Sequence, residues 1–258
     1  MSVQQIVNYP FLYINGVKIA YASGTTLTVT PGLVRSSNNM VDMNIGNFLS
    51  QTTPGVVSSN TTINAAVVGF NGIDTGALAN NTFYYVYVIG DSTGFHPTGA
   101  LLSAHASLPV MPFGYDSVRR VGQVLTGGSA TILLFTMDGN YYNRRYQYDA
   151  PIVVVNGLGS ATPATVSLNS AVPLGSGRGT VHFNATFTAA TAANSFSLRP
   201  TGGTGYPVVV SGPVVSQALK VAPFSMNAQI STATNIDWIT TSGSDVLTLN
   251  VVGYDDYV

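Results

Sequence analysis

The triplet Gly90-Asp91-Ser92 follows directly on an apolar run that ends at Ile89. A serine set down at the end of a strand is one way to present a nucleophilic hydroxyl to an oxyanion hole, provided that a base stands within hydrogen-bond reach. In hydrolases of that layout an Asp-x-x-His pair late in the chain supplies the base. Here the last histidine is His182, and the residue three places before it is Gly179. The step from Asp91 to Ser92 has a simpler reading, in which both side chains bond back to nearby backbone groups and make the turn. No catalytic residue is assigned, and the chain is expected not to be an enzyme.

Metal chemistry finds no better footing. His96, His105 and His182 lack the close, regular spacing by which histidines converge on a zinc ion, and there is no cysteine to contribute a thiolate. Neither a metal nor a cofactor is expected. Glycan cleavage would need two carboxylates facing one bond as acid and base. The ten Asp are scattered, several of them at turns (Asp74, Asp91, Asp138, Asp149), with Asp255 and Asp256 near the C-terminal end, and no pair suggests itself.

Binding is the more promising chemistry. Tyr141, Tyr142, Tyr146 and Tyr148 surround Arg144 and Arg145, and Tyr and Arg are the residue types that dominate interface hot spots. The cluster reads as a subunit-binding or sugar-binding surface, or else as a strand with Tyr on both faces and Arg paired to Asp138 or Asp149. Trp238 and Tyr206 are further candidates for contact with a ligand.

The elements that position these residues follow from composition. Charged residues are 7% of the 258, against roughly 25% in ordinary soluble domains, and there are two Lys, no Glu and 27 Gly. Exposed helix faces are built from Lys and Glu, so the chain reads as all-β. A net charge of −1 gives no footprint for nucleic acid. No stretch approaches the ~20 consecutive apolar residues of a membrane helix, so no membrane insertion is expected. The first ten residues lack the basic and apolar regions of a secretory signal, so synthesis in the cytoplasm without export is the expectation. Weak charge favours association over life as a dilute monomer.

Along the chain, Asn15-Gly16 between two apolar runs predicts a two-residue hairpin, and Thr26 to Thr30 alternates as a strand. The segment 36–62 reads as irregular or loosely stranded, and Ile63 to Val68 as either a helical turn or a strand. Thr82 to Ile89 predicts a central strand covered on both faces. Arg119 to Leu125 and Ala130 to Thr136 flank Thr126-Gly127-Gly128-Ser129 and predict an antiparallel hairpin. Composition shifts at Asp149-Ala150-Pro151, which places a domain boundary there and gives domains 1–149 and 150–258. Eight strands are expected in the second, near Ile152–Val155, Thr165–Leu168, Thr180–Thr188, Ser195–Leu198, Val208–Val210, Ala218–Met226, Ile236–Thr240 and Val246–Val252. The expected fold is two β domains, an N-terminal antiparallel module and a sandwich or jelly roll.

One stretch carries a resemblance. The run from Ala79 to Ser92, the segment Leu101-Leu102-Ser103, the pair Leu108-Pro109, the Gly114-Tyr115 turn and Arg119-Arg120-Val121-Gly122-Gln123-Val124 succeed one another. This series resembles a module recurrent in structural and tail-fibre-like proteins of tailed bacteriophages, with Val121 where Ile is usual and Gln123 where Trp is frequent. Leu12 to Gly16 and Leu27 to Val29 look like its upstream part. The resemblance covers roughly residues 10–148. Physically, Pro112-Phe113-Gly114 makes a tight turn, with Gly114 there to supply a positive φ if the turn requires one, and leads toward Arg119-Arg120. One of these two is expected to point inward and to need Asp91 or Asp116.

The resemblance implies membership of a virion, in a trimeric or ring-like appendage assembled in the host cytoplasm from copies of itself and other virion proteins. It implies no catalytic residues. The expected role is tail-associated, as a short fibre or a tail-decorating subunit, in which the first domain anchors or oligomerises and the second is displayed. A capsid decoration protein, head fibre or cement, shares these features. A module that binds a host-surface glycan is the third expectation.

Overall fold

Val, Ile, Thr and Tyr alternate with small polar residues along much of the chain, and branched or aromatic side chains fit a pleated surface better than a helix. The computed structural model describes residues 13–46, 59–139, 143–173, 178–191, 193–211, 218–229 and 235–256, with the backbone alone at 178–179 and 218–229. Among these residues there are strands and turns and no helix, and every strand pair is antiparallel. The chain divides into two compact units, Met1–Ile132 and Leu133–Val258.

The first unit holds three small sheets. In one, β1 (Ile14–Gly16) pairs with β4 (Gly32–Arg35), which pairs with β5 (Asp42–Ile45); in another, β3 (Thr26–Val29) lies between β2 (Ile19–Ser23) and β6 (Thr61–Asn64). Asn15-Gly16 is therefore not a hairpin turn. Gly16 and Val17 take positive φ values of 75° and 52° where the chain leaves one sheet for the other, and a Cβ on Gly16 would stand 2.5 Å from the Pro31 carbonyl oxygen. The Asn-Gly signal correctly marks a left-handed backbone but misassigns its purpose. The hairpin turn in this region is at Gly24-Thr25, between β2 and β3.

The third sheet positions the candidate site. Its central strand β7 (Phe83–Gly90) lies between β8 (Gly99–Ser103) and β9 (Ser117–Leu125), and is buried on both faces over nearly its whole length, as the sequence predicts. Ala130 to Thr136 does not extend β9 into a hairpin. The turn closes by a single bridge, Thr126 to Ile132, and the chain then enters the second unit.

The second unit is a sandwich of two sheets. The five-stranded sheet runs β10 (Phe135–Gly139), β11 (Arg144–Leu158), β18 (Val246–Asp256), β13 (Arg178–Thr188), β16 (Ala218–Gln229). The four-stranded sheet runs β12 (Ala164–Ser167), β17 (Asn235–Thr240), β14 (Ser195–Pro200), β15 (Val208–Ser211). All eight strands expected after residue 150 are present. Inward positions alternate along β13 (Val181, Phe183, Ala185, Phe187) and β18 (Leu247, Leu249, Val251), and they meet Phe196, Leu198 and Ile236 of the facing sheet. The Phe187 and Phe196 rings lie 5.3 Å apart across that core.

The boundary placed at residue 149 falls inside β11. The composition shift there marks a break in register between Gln147 and Ile152, where Pro151 cannot donate to the ladder. The break is a bulge in one long strand, and the division between units comes earlier, after Ile132.

Candidate interaction surfaces

In the first unit the loop that leaves β7 is braced from within by Asp91 and joined by Asp116 to the end of the loop that leaves β8. Asp91, directly after β7, accepts from the Thr93 N–H (2.8 Å) and hydroxyl (2.6 Å) through one oxygen. Its other oxygen accepts from the N–H groups of Phe95 and His96 (both 3.0 Å) and faces His96 Nδ1 at 2.9 Å. The Thr93 hydroxyl first, and then His96, hold its carboxyl well below the usual range. Asp116, just before β9, accepts from the Ser92 N–H (2.9 Å), the Ser92 hydroxyl and the Ser117 hydroxyl (2.9 Å). Those bonds, led by the Ser92 hydroxyl, lower its pKa as well.

The loop after β8 is fastened from below. Asp74 accepts from the Ser103 hydroxyl (2.6 Å) and the Val110 N–H (3.0 Å), and the Tyr87 hydroxyl donates to the His105 carbonyl (2.7 Å). Burial pushes the Tyr87 phenol up to about 12. Met111 and Tyr115 pack against Tyr85, Tyr87, Ile89 and Leu101. The Tyr115 hydroxyl donates to the Pro97 carbonyl (3.0 Å), and its ring lies 5.5 Å from Phe70 and 5.4 Å from His96. Gly114, at φ 86°, passes so close that an added Cβ would meet His96 Cε1 at 2.4 Å.

This bracing leaves apolar side chains bare. Phe113 is 99% exposed and Phe95 is 89% exposed, with Leu108 at 63% and Val110 at 51%. Phe95 and Phe113 are the chain neighbours of His96 and Gly114, between which there is no room for a Cβ on the glycine. Between Ile89 and Val118 there is no Lys or Arg.

The arrangement around Ser92 is not that of a serine nucleophile with a histidine base. Its hydroxyl donates to Asp116, while the His96 ring faces Asp91. Among the described residues there is no group of three or more His, Cys, Asp or Glu that could hold a metal ion. Of the arginines Arg119 and Arg120, the first is buried, and the second lies over the Tyr85 ring with its guanidinium carbon 5.6 Å from the centroid.

In the second unit the residues singled out from the sequence part company. Tyr141 and Tyr142 lie outside the described residues. Tyr146 and Tyr148 are buried, not displayed: Tyr146 stacks on Tyr254 at 5.1 Å, and the Tyr148 hydroxyl donates to the Ala171 carbonyl at 2.7 Å. Arg144 is also buried, beside Asp256 in register. Among the described residues of this group Arg145 alone faces water, with 58% of its side chain exposed, and it donates to Asp255 at 3.0 Å. Asp255 in turn faces His182 Nε2 at 3.0 Å, so that β11, β18 and β13 carry a charged row on the outer face of the sheet. Burial alone would raise the Asp255 pKa, but the Arg145 and His182 bonds outweigh it and lower it.

Trp238 pairs in register with Leu198 and Ala164 and lies on the inward side of its sheet. Its outward neighbour Asp237 accepts from Thr165, Thr201 and Arg199, and the Arg199 guanidinium covers the Tyr206 ring at 4.6 Å. Trp238 is therefore a core residue, and one face of the Tyr206 ring is taken up by Arg199. The residues that sequence reasoning missed are Phe95, Phe113, Leu108 and Val110. Their only sequence signal is a run of apolar residues broken by Gly and Pro, which core turns share.

No family model matches. A search of curated proteins likewise finds no match. Among solved structures, the insecticidal delta-endotoxin Cry8Ea1 from Bacillus thuringiensis aligns with 96% of this chain and 54% of its own, at 9% identity and a TM-score of 0.23. The chain thus spans about half the length of that toxin, in a superposition too loose to specify a shared fold.

Proposed function

We propose that this chain is a structural subunit of a tailed-bacteriophage virion, associated with the tail as a short fibre or tail-decorating protein, and that it works by assembly without catalysis. The observation that carries the reading is the pair of almost fully exposed phenyl rings, Phe95 and Phe113, on loops that internal hydrogen bonds hold in place. A side chain of that kind loses about 1.5–3 kcal/mol of burial free energy by facing water, so a braced loop that displays two of them is suited to a partner. The resemblance of residues 10–148 to a virion module supplies the setting, and the scarcity of charge suits a subunit that is surrounded by others.

The test is imaging of intact virions with gold-labelled antibody against this chain. Label on the tail is the expected result. Label spread over the head would replace the tail assignment with capsid decoration, and label nowhere would overturn the virion reading altogether.

A further inference from the structure

We infer that Asn15 is a site of spontaneous modification, at which the side-chain amide is converted to a carboxylate through a cyclic imide.

The chemistry needs an asparagine whose following residue lets its main-chain nitrogen approach. That nitrogen attacks the asparagine Cγ and forms a new C–N bond, and the side-chain nitrogen leaves as ammonia, taking the proton that the main-chain nitrogen gives up. Water then opens the imide at either carbonyl. One opening leaves aspartate; the other leaves an isoaspartyl link, in which the main chain runs through the side chain. Glycine at the attacking position has no Cβ to stand in the way. Asn-Gly occurs at Asn15, Asn71 and Asn156, and the fold separates these candidates.

Two of them are held shut. The Asn71 Oδ1 accepts from the Ala100 N–H at 2.9 Å, and the Gly72 N–H, which would have to attack, donates to the Gly69 carbonyl at 2.9 Å. The Asn156 Oδ1 accepts from the Thr248 hydroxyl at 3.0 Å. Its neighbour Gly157 stands opposite Leu247, two places along the ladder from the bond that Gly159 donates to Asp245. Bonded and non-bonded pairs alternate in an antiparallel ladder, so the Gly157 N–H donates to the Leu247 carbonyl.

Asn15 has neither restraint. The ladder between β1 and β4 is bonded through Tyr13, whose carbonyl accepts from the Arg35 N–H at 2.8 Å, and through Val17, whose N–H donates to the Pro31 carbonyl at 3.4 Å. By the same alternation Gly16, opposite Gly32, turns its N–H away from β4. β1 is the edge of its sheet, so no strand among the described residues meets that N–H. The Asn15 side chain is exposed. An extended backbone holds the nitrogen away from Cγ, so the attack needs a local opening, and an edge strand of 3 residues is the kind of element that opens. The product adds a negative charge to a chain of net charge −1. In the isoaspartyl form it also lengthens the main chain by a methylene just before the left-handed crossing at Gly16 and Val17.

The test ages the full chain in mildly alkaline buffer, where the attacking nitrogen loses its proton more readily, and then digests it with trypsin. Cleavage after Lys and Arg puts the candidates on separate peptides, 1–18, 36–119 and 146–178. Mass spectrometry reads the share of each in which the amide has become an acid, and fragment masses assign the change within 1–18 to Asn15 or to Asn8. In the folded chain Asn15 converts at least about tenfold faster than Asn71 and Asn156, because each of those must first break two hydrogen bonds. In strong denaturant the three rates converge. An Asn15 that converts no faster than the other two in the folded chain would overturn the inference. So would a lead that persists in denaturant, where the fold no longer distinguishes the three.

Discussion

Asp91 receives five hydrogen bonds from three residues within its own loop, and this has a consequence in acid. A carboxyl whose pKa is lower in the folded chain than the unfolded value of about 3.9 stabilises the fold above that value. The contribution is lost as the pH falls through the folded value. Asp91, Asp116, Asp237 and Asp255 all shift in this direction. Thermal midpoints are therefore expected to hold steady from pH 7 to about 5 and to fall below about 4, and Asp91→Asn should flatten that acid limb. A midpoint that rises on acidification would contradict the hydrogen-bond assignments. Gly114→Ala forces a side chain onto a φ of 86° beside His96 and should lower the stability measured by urea unfolding by about 1–2 kcal/mol. The bonding of Asp91 to nearby backbone was legible in the sequence, because Asp after a strand bonds locally, whereas the Ser92 hydroxyl, read the same way, donates instead to the Asp116 carboxylate. The exposure of Phe95 and Phe113 was not, because a phenyl ring in a Gly- and Pro-rich loop has the same local pattern whether or not a neighbour covers it.

At the scale of elements, the strands of the second unit were legible because period-two alternation survives in β13 and over Val246 to Val251 of β18, where the inward residues Val181, Phe183, Ala185, Phe187, Leu247, Leu249 and Val251 are apolar. What alternation cannot say is which of two faces another sheet will cover, and Tyr146 and Tyr148 therefore read as candidates for display when they are core. Phe196 is fully buried against Phe187 of the opposite sheet. Its replacement by Ala should cost about 3–5 kcal/mol in urea unfolding; a loss under 1 kcal/mol would mean that the two sheets do not share this core. The misplaced boundary at residue 149 has a related cause. Pro and a change of composition mark an interruption of the hydrogen-bond ladder, and an interruption can be a bulge in a strand as readily as the end of a domain.

For the whole molecule, two compact units of similar size joined at Ile132 and Leu133 are expected to unfold in more than one step. Scanning calorimetry should then give a calorimetric enthalpy larger than the van't Hoff value; equality of the two would show a single cooperative block. The outer face of the five-stranded sheet adds something about the conditions under which the protein holds together. Besides the Asp255 row and Asp138 opposite Arg145, the described cross-strand contacts on this face join neutral groups, with the Asn250 amide donating to Asn184 at 2.8 Å and the Thr248 hydroxyl to Asn156 at 3.0 Å. Dissolved ions shorten the reach of charges from about 30 Å in dilute medium to about 3 Å in strong brine, but they leave such dipolar contacts almost untouched. A protein fastened in this way should keep the same cohesion in fresh water, in tissue fluid and in the sea.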